Sequence, residues 1–297
     1  MGISPTGRKI VYFFLRLHKG REVEENYLES ALSCSYNFYF MEFYKYHGTG
    51  NDFILINNRD GKIKLSVEQI AHLCHRHFGI GADGLMLLEH ADGFDFRMAY
   101  YNSDGRESTM CGNGGRCITA FAKSLGIIDN TARFIAVDGE HKATINENGL
   151  ISLHMQDVKE IYMEGFHTVL DTGSPHYVQW VTDVKHMNVN EEGKKIRNSP
   201  DFQTNGINVD FMELIDGTLS MRTYERGVED ETMSCGTGVV AAAIAATAKF
   251  TGAFVTDIET PGGMLEVSFT KDTPVTAVDV VLTGPAAFVF KGKIELV

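Results

Sequence analysis

Cysteine, proline and tryptophan are scarce: the 297 residues include five Cys, six Pro and one Trp. So few cysteines, odd in number (Cys34, Cys74, Cys111, Cys117, Cys235), make no disulfide scaffold and read as reduced thiols of a cytoplasmic protein. Positive charge is short as well, with 27 Lys plus Arg against 39 Asp plus Glu and a formal net charge of −12. A nucleic-acid binder ordinarily carries a basic patch to neutralise phosphates, so this balance argues against one. Long apolar runs are missing too. The densest, Val239 to Ala248, falls well short of the roughly 18 residues a membrane helix requires. Ile10 to Leu15 follows Arg8-Lys9 but is broken by Arg16, which is too short for a secretory signal, and no small-residue cleavage site follows. What is present, 43% apolar and 22% charged residues, is the composition of a globular chain long enough for two domains of about 150 residues.

Residues 1–40 hold no sustained period of two or 3.6, and regular patterning begins at Met41. They read as an N-terminal extension, disordered or owed to an upstream start codon, with a targeting or regulatory arm as the alternative. Beyond Met41 strands and helices alternate. Phe53 to Ile56 is expected as a strand, and Ser66-x-x-Gln69 as a capping box opening a helix. Leu85–Leu88, Phe94–Tyr101 and Arg133–Val137 are further strands, with a helix from Cys111 to Leu125 stopped by Gly126. A hairpin over Lys142–Met155 turns at Asn148-Gly149. Thr168–Val181, Ile207–Leu214 and Leu219–Glu225 are strand-like, Cys235–Phe250 is helical, and a second hairpin surrounds Pro261-Gly262-Gly263.

This order occurs twice. Met110-Cys111-Gly112-Asn113-Gly114 resembles Ser234-Cys235-Gly236-Thr237-Gly238 at an offset of 124 residues, and Thr49-Gly50-Asn51 resembles Thr172-Gly173-Ser174 at 123. Two similarities at nearly one offset point to a duplicated α/β unit whose halves face each other across a pseudo-twofold cleft. Each Cys-Gly turn then stands at a helix N-terminus, where unpaired N–H groups and about half a positive charge attract an anion. The glycines remove Cβ atoms that would keep it away, so Gly112-Asn113-Gly114-Gly115 and Gly236-Thr237-Gly238 read as two anion cradles. The same positive ends are expected to lower the thiol pKa values. A carboxylate held between them would have one sulfur on each side of its α-carbon. That is the geometry for taking a proton from one face and returning one to the other, with the helix ends stabilising the enediolate and no cofactor needed.

Other signals are weaker. Cys117 lies six residues into its helix and is assigned to packing. In His72-Leu73-Cys74-His75 the thiol lies about 100° or more around the helix from either histidine, so no metal site is expected. Gly48-x-Gly50 and Gly79-x-Gly81 are too short for nucleotide loops.

His47-Gly48-Thr49-Gly50-Asn51-Asp52-Phe53, Asn102-Ser103-Asp104-Gly105 with Cys111-Gly112-Asn113-Gly114-Gly115-Arg116-Cys117, and Tyr224-Glu225-Arg226-Gly227 leading to Cys235-Gly236-Thr237-Gly238 closely resemble the diaminopimelate epimerase family, over essentially all of 41–297. The resemblance implies an α/β chain of two similar domains, 41–157 with 286–297 and 158–285. Each would be a curved mixed sheet around a central helix, with the active site in the cleft between. It implies cofactor-independent interconversion of LL- and meso-diaminopimelate, in lysine and peptidoglycan precursor synthesis, by a cytoplasmic homodimer. Carried over by motif, Cys111 and Cys235 are the acid/base thiols, and Gly112, Asn113, Gly236 and Thr237 cradle the reacting carboxylate. Asn51, Asn102, Ser174, Asn208, Glu225 and Arg226 would bind the substrate's polar groups, and His176 and Glu225 would tune the thiols. Arg226 suits a distal carboxylate, because a guanidinium grips both oxygens in a fixed fork. Two positions depart from the family pattern: Gly84 stands where many members have Gln, and Ser174 where many have Asn. The competing readings are a proline or hydroxyproline racemase using the same thiol pair, a dithiol redox or zinc module, and a non-catalytic binding protein. No Cys-x-x-Cys pair supports the second of these.

Overall fold

The structure is a computed structural model that describes residues 40–247 and 249–295. The N-terminal extension expected over residues 1–40 lies almost wholly outside them. Apart from Phe40 and Met41 at the start of the first strand, the architecture that follows belongs to the unit Glu42–Ile294.

The expected duplication is written into the strand pairing. In the first half Phe40–Gly48 pairs antiparallel with Asn51–Asn57, which runs parallel to Gly84–Glu89, which is antiparallel to Phe96–Asn102. That strand runs parallel to Thr131–Ala136, and antiparallel pairs lead on through Gly139–Ile145 to Ile151–His154. The second half repeats these pairings in the same order from His167–Asp171 through Pro175–Trp180, Asn208–Ile215, Thr218–Glu225, Gly252–Thr260 and Gly263–Lys271 to Val278–Gly284. The halves join where Val278–Gly284 pairs with Ile151–His154.

Four helices are described: α1 (Val67–Cys74), α2 (Gly112–Ser124), α3 (Val189–Arg197) and α4 (Gly236–Ala246). Ser66 and Gln69 form the expected reciprocal capping box of α1. Helix α2 ends just before Gly126, whose φ of 68° suits a residue without Cβ. Around α2 lies one hydrophobic core, with Phe53, Leu55, Met86, Phe96, Phe134 and Leu153 packed on Ile118 and Phe121. Around α4 lies another, built from Leu170, Val178, Met212, Ile258, Val267 and Leu282. Helix α4 is apolar on every side and buried from Val239 to Ala245, as a helix enclosed by sheet must be. Its alanines let the strands approach closely.

Short strands at Glu107–Ser108, Ile161–Glu164 and Asp230–Thr232 were not expected, and three larger elements differ as well. Thr168–Val181 is two strands, because Gly173 at φ 103° turns the chain and folds Pro175–Gln179 back against His167–Asp171. Helix α4 stops at Ala246 rather than Phe250, with the Thr247 N–H turned back onto Ala245 and Ile244 carbonyls. Helix α3 is additional. Its signals were present in Asn188, whose side chain caps the Glu191 N–H, and in acidic-then-basic charges that follow the helix dipole. No helix among the described residues is long and apolar enough to cross a membrane.

Candidate active site

Cys111 and Cys235 occupy the same position in their halves, the extended N-cap residue of α2 and of α4. The two helices meet at these ends. A Cβ on Gly236 would stand 3.1 Å from the Gly112 Cα, and one on Gly112 would stand 3.4 Å from the Gly236 Cα. Only glycine lets the first turns approach so closely. A side chain ties the ends together, as Asn113 Nδ2 donates to Ser234 O at 2.8 Å, and within the second half Thr172 Oγ1 donates to Thr237 O at 2.9 Å. The two positive helix ends therefore converge on one region, with a thiol at each.

At the α2 end, Cys111 Sγ lies 3.7 Å from Asn51 Oδ1, which also accepts from Asn113 Nδ2 at 3.3 Å. Asn51 Nδ2 in turn donates to Asp83 Oδ2 at 2.7 Å. At the α4 end, Cys235 Sγ lies 3.4 Å from Thr237 Oγ1, which lies 2.9 Å from His176 Nε2. His176 Nδ1 is 2.7 Å from Asp210 Oδ2, and both side chains are fully buried. With Nδ1 turned to Asp210, His176 Nε2 faces the Thr237 hydroxyl and, at 3.3 Å, the Asn208 amide.

The thiols do not behave as the helix ends alone would have them. Burial pushes the Cys111 thiol up, while the Gly114 and Asn113 N–H groups pull it down and Glu225 adds to the rise. Burial pushes Cys235 well up, followed by the negative charges of Glu225 and Asp210, against the Thr237 hydroxyl and the Gly238 N–H. The expected lowering is thus present as a contribution and overturned in the balance, because desolvating a sulfur anion outweighs two or three backbone dipoles. Glu225, whose Oε2 accepts from Thr232 Oγ1 at 2.9 Å, is itself raised by burial.

Ser174, Asn208 and Arg226 form one polar cluster beside the α4 end. Asn208 Nδ2 donates to Ser174 Oγ at 2.9 Å, Asn208 Oδ1 accepts the Arg226 N–H at 2.8 Å, and Arg226 Nη2 reaches Ser174 Oγ at 3.4 Å. Asn102 is not drawn in. Its side chain is exposed at a strand end, opposite Gly84. Gly84 has a steric reason, since a Cβ there would lie 2.6 Å from the Tyr100 ring and 2.7 Å from Tyr101 O.

Cys117 is in the α2 core, and Cys74 is buried while His72 and His75 are exposed. Among the described residues no three His, Cys, Asp or Glu side chains group as a metal site would need. Sequence reasoning missed Asp210, Thr232, Asp83 and Ser234, whose hydroxyl is buried without a hydrogen-bond partner among the described residues. Asp210 left a signal as an acid inside the apolar strand Asn208–Ile215.

The chain matches the family model described as diaminopimelate epimerase over residues 43–161 and 168–289. It is 52% identical over 258 residues to a diaminopimelate epimerase of Flavobacterium psychrophilum, covering 86% of this chain and 100% of the relative. To the enzyme of that name from Chlorobaculum tepidum it is 41% identical over 259 residues, covering 84% and 99%. Among solved structures, a PhzF-family phenazine biosynthesis protein of Bacillus anthracis superposes with a TM-score of 0.66 at 14% identity, covering 87% and 100%. A probable proline racemase of Agrobacterium radiobacter does so at 0.63 and 16%, covering 86% and 93%. At such identities the structural likeness establishes the fold.

Proposed function

The chain belongs to the diaminopimelate epimerase family, and on that premise we propose how it works as an epimerase. The substrate is diaminopimelate, and the reaction inverts one α-carbon to interconvert the LL and meso forms, with Cys111 and Cys235 as paired acid and base. The observation that carries the reading is the meeting of two N-capping cysteines at Gly112 and Gly236, where both helix ends aim at one point.

The reacting α-carboxylate lies against the N–H groups at the starts of α2 and α4. One sulfur, as thiolate, takes the α-proton, and negative charge moves into the carboxylate as an enediolate that the helix ends stabilise. The other sulfur, as thiol, gives a proton to the opposite face, so one thiol and one thiolate exchange roles in each turnover. Because burial favours the protonated form of both, a thiolate must be made on demand. The path from Cys235 through Thr237 to His176, with Asp210 holding the imidazole, supports that end as a place where a proton leaves sulfur. Ser174, Asn208 and Arg226 bind the distal amino-acid head, and Ser174 does so with a shorter reach than Asn. Glu225 bears on both sulfurs and disfavours two thiolates at once. Asn102, exposed at its strand end and apart from that cluster, is proposed to meet the substrate directly. The domain boundaries at 41–157 with 286–297 and at 158–285 are proposed from the duplication, the cytoplasmic location from the need to keep both sulfurs reduced, and the homodimer from family resemblance.

A proline or hydroxyproline racemase would use the same thiols, and the cluster around Arg226 favours a substrate with a second charged head. A panel of LL-diaminopimelate, proline, hydroxyproline and lysine in D₂O tests both points. Turnover confined to diaminopimelate is expected, with deuterium entering the inverted product before the unreacted isomer. Turnover of proline instead, or equal early labelling of both isomers, would contradict the substrate or the two-base mechanism respectively.

A further inference from the structure

Arg116 heads the largest fully buried side chains among the described residues, and nothing in the reaction above uses it. Its guanidinium makes four contacts, all with neutral oxygens. Nη1 donates to Gly112 O at 3.2 Å, Nη2 to Asn113 Oδ1 at 2.8 Å and Thr49 Oγ1 at 3.4 Å, and Nε to Pro285 O at 3.3 Å. Gly48 and Gly284 leave the room, since a Cβ on either would stand 3.2 Å from a guanidinium nitrogen. The titratable groups whose charge bears on it are Cys117 and Cys111, and no carboxylate is among them. A cation this deep is costly unless an anion answers it. Cys117 does not, because burial pushes its thiol far up and keeps it protonated.

The contacts also set a direction. A guanidinium only donates and a carboxylate only accepts. Asn113 must turn Oδ1 to Arg116, which leaves Nδ2 to donate to Asn51 Oδ1 and Ser234 O. Asn51 must give Nδ2 to Asp83, which Arg76 holds at 2.6 Å. Two amides are thus locked in one orientation from charged ends, with Asn51 Oδ1 facing the Cys111 sulfur.

We propose that Arg116 is a positioning residue for Cys111, orienting Asn113 and Asn51 around that sulfur and serving as the buried cation that answers negative charge formed at the α2 end of the site. This rests on reading Cys111 as one of the two acid/base thiols. The groups facing Cys111 are Arg116 and Cys117 on its own helix, Glu225 from the strand Thr218–Glu225 and Tyr100 from Phe96–Asn102. Cys235 faces Glu225, Asp210 and, through Thr237, His176, and Arg226 is connected to that end through Asn208.

The test is the pH dependence of iodoacetamide alkylation, read by peptide mapping on the full chain. Cys111 is followed in a Cys235→Ser background and Cys235 in a Cys111→Ser background. In the parent pair Cys111 should alkylate with the lower midpoint. Adding Arg116→Gln should raise the Cys111 midpoint by about one pH unit or more and leave that of Cys235 nearly in place, and Arg116→Lys should recover most of the shift. An unmoved Cys111 in folded Arg116→Gln, or equal shifts at both cysteines, would overturn the proposal. If Arg116→Gln does not fold, a parent Cys111 midpoint at or above that of Cys235 overturns it without any change at Arg116. Alkylation needs no turnover, so failure here leaves the two-thiol reading standing, whereas full activity of Cys111→Ser would remove that reading itself.

Discussion

At the scale of single residues, the two sulfurs share a backbone position but not an environment. Cys111 has an amide oxygen and a buried guanidinium nearby, whereas Cys235 has a hydroxyl, a histidine and two acids. If each sulfur carries a proton as proposed, replacing either by Ser should cost about 10²-fold or more in kcat, measured from both stereoisomers. Glu225 offers a sharper electrostatic test. Its negative charge disfavours the thiolate, so Glu225→Gln should move Cys235 alkylation to lower pH while reducing kcat/KM. An unchanged or higher alkylation midpoint would show that the carboxylate does not act on that sulfur.

At the scale of elements, α2 and α4 must begin with glycine because their first turns touch. Gly236→Ala places a methyl 3.1 Å from the Gly112 Cα, a backbone atom that cannot swing aside. The variant is expected to fold with its helix ends pushed apart and to lose most of its kcat, and full activity would mean the ends need not touch. Further along α4, packing dominates. Ile244 is fully buried, and Ile244→Ala should lower unfolding stability by about 2–5 kcal/mol in urea titrations, with the spread set by how far the sheet relaxes onto the smaller side chain.

At the scale of the whole molecule, sites far apart in sequence are tied together. Asp52 joins the start of the first half to the loop after α1 through Lys45 at 2.7 Å and Arg76 at 2.9 Å. Burial works to raise its carboxyl, but the two cations outweigh burial and hold it at about 2. A depressed carboxyl stabilises the fold above the unfolded value near 4 and loses that contribution as pH falls through about 2. Stability should therefore drop between pH 4 and pH 2 by on the order of 1–2 kcal/mol from this group, and Asp52→Asn should flatten that part of the curve in urea unfolding. The two N-cap thiols, proposed as acid and base, bear on the halves in the same sense. A mild oxidant should join Cys111 to Cys235 and inactivate the enzyme until a reductant is added, and peptide mapping that finds neither residue in a disulfide would argue that the sulfurs cannot come within bonding distance.

Local chemistry alone made the duplication, the α1 capping box, the Gly126 stop and both Cys-Gly turns legible, because each is a short pattern whose physics is complete within a few residues. The two cysteines at those turns could be singled out for the same reason, and the structure puts both at helix N-caps. What the chain could not disclose by itself was the sign of the thiol shifts, the reach from His176 to Thr237, or the place of Asp210 and Arg116. Those depend on how much water is excluded and on which side chains from distant strands arrive at one point. Burial is a property of the assembled fold, and it overrides what a helix end would do to a sulfur in water. The break at Gly173 and the exclusion of Asn102 from the cluster were likewise decided by pairing between strands, where the partner's register selects which side chains turn inward.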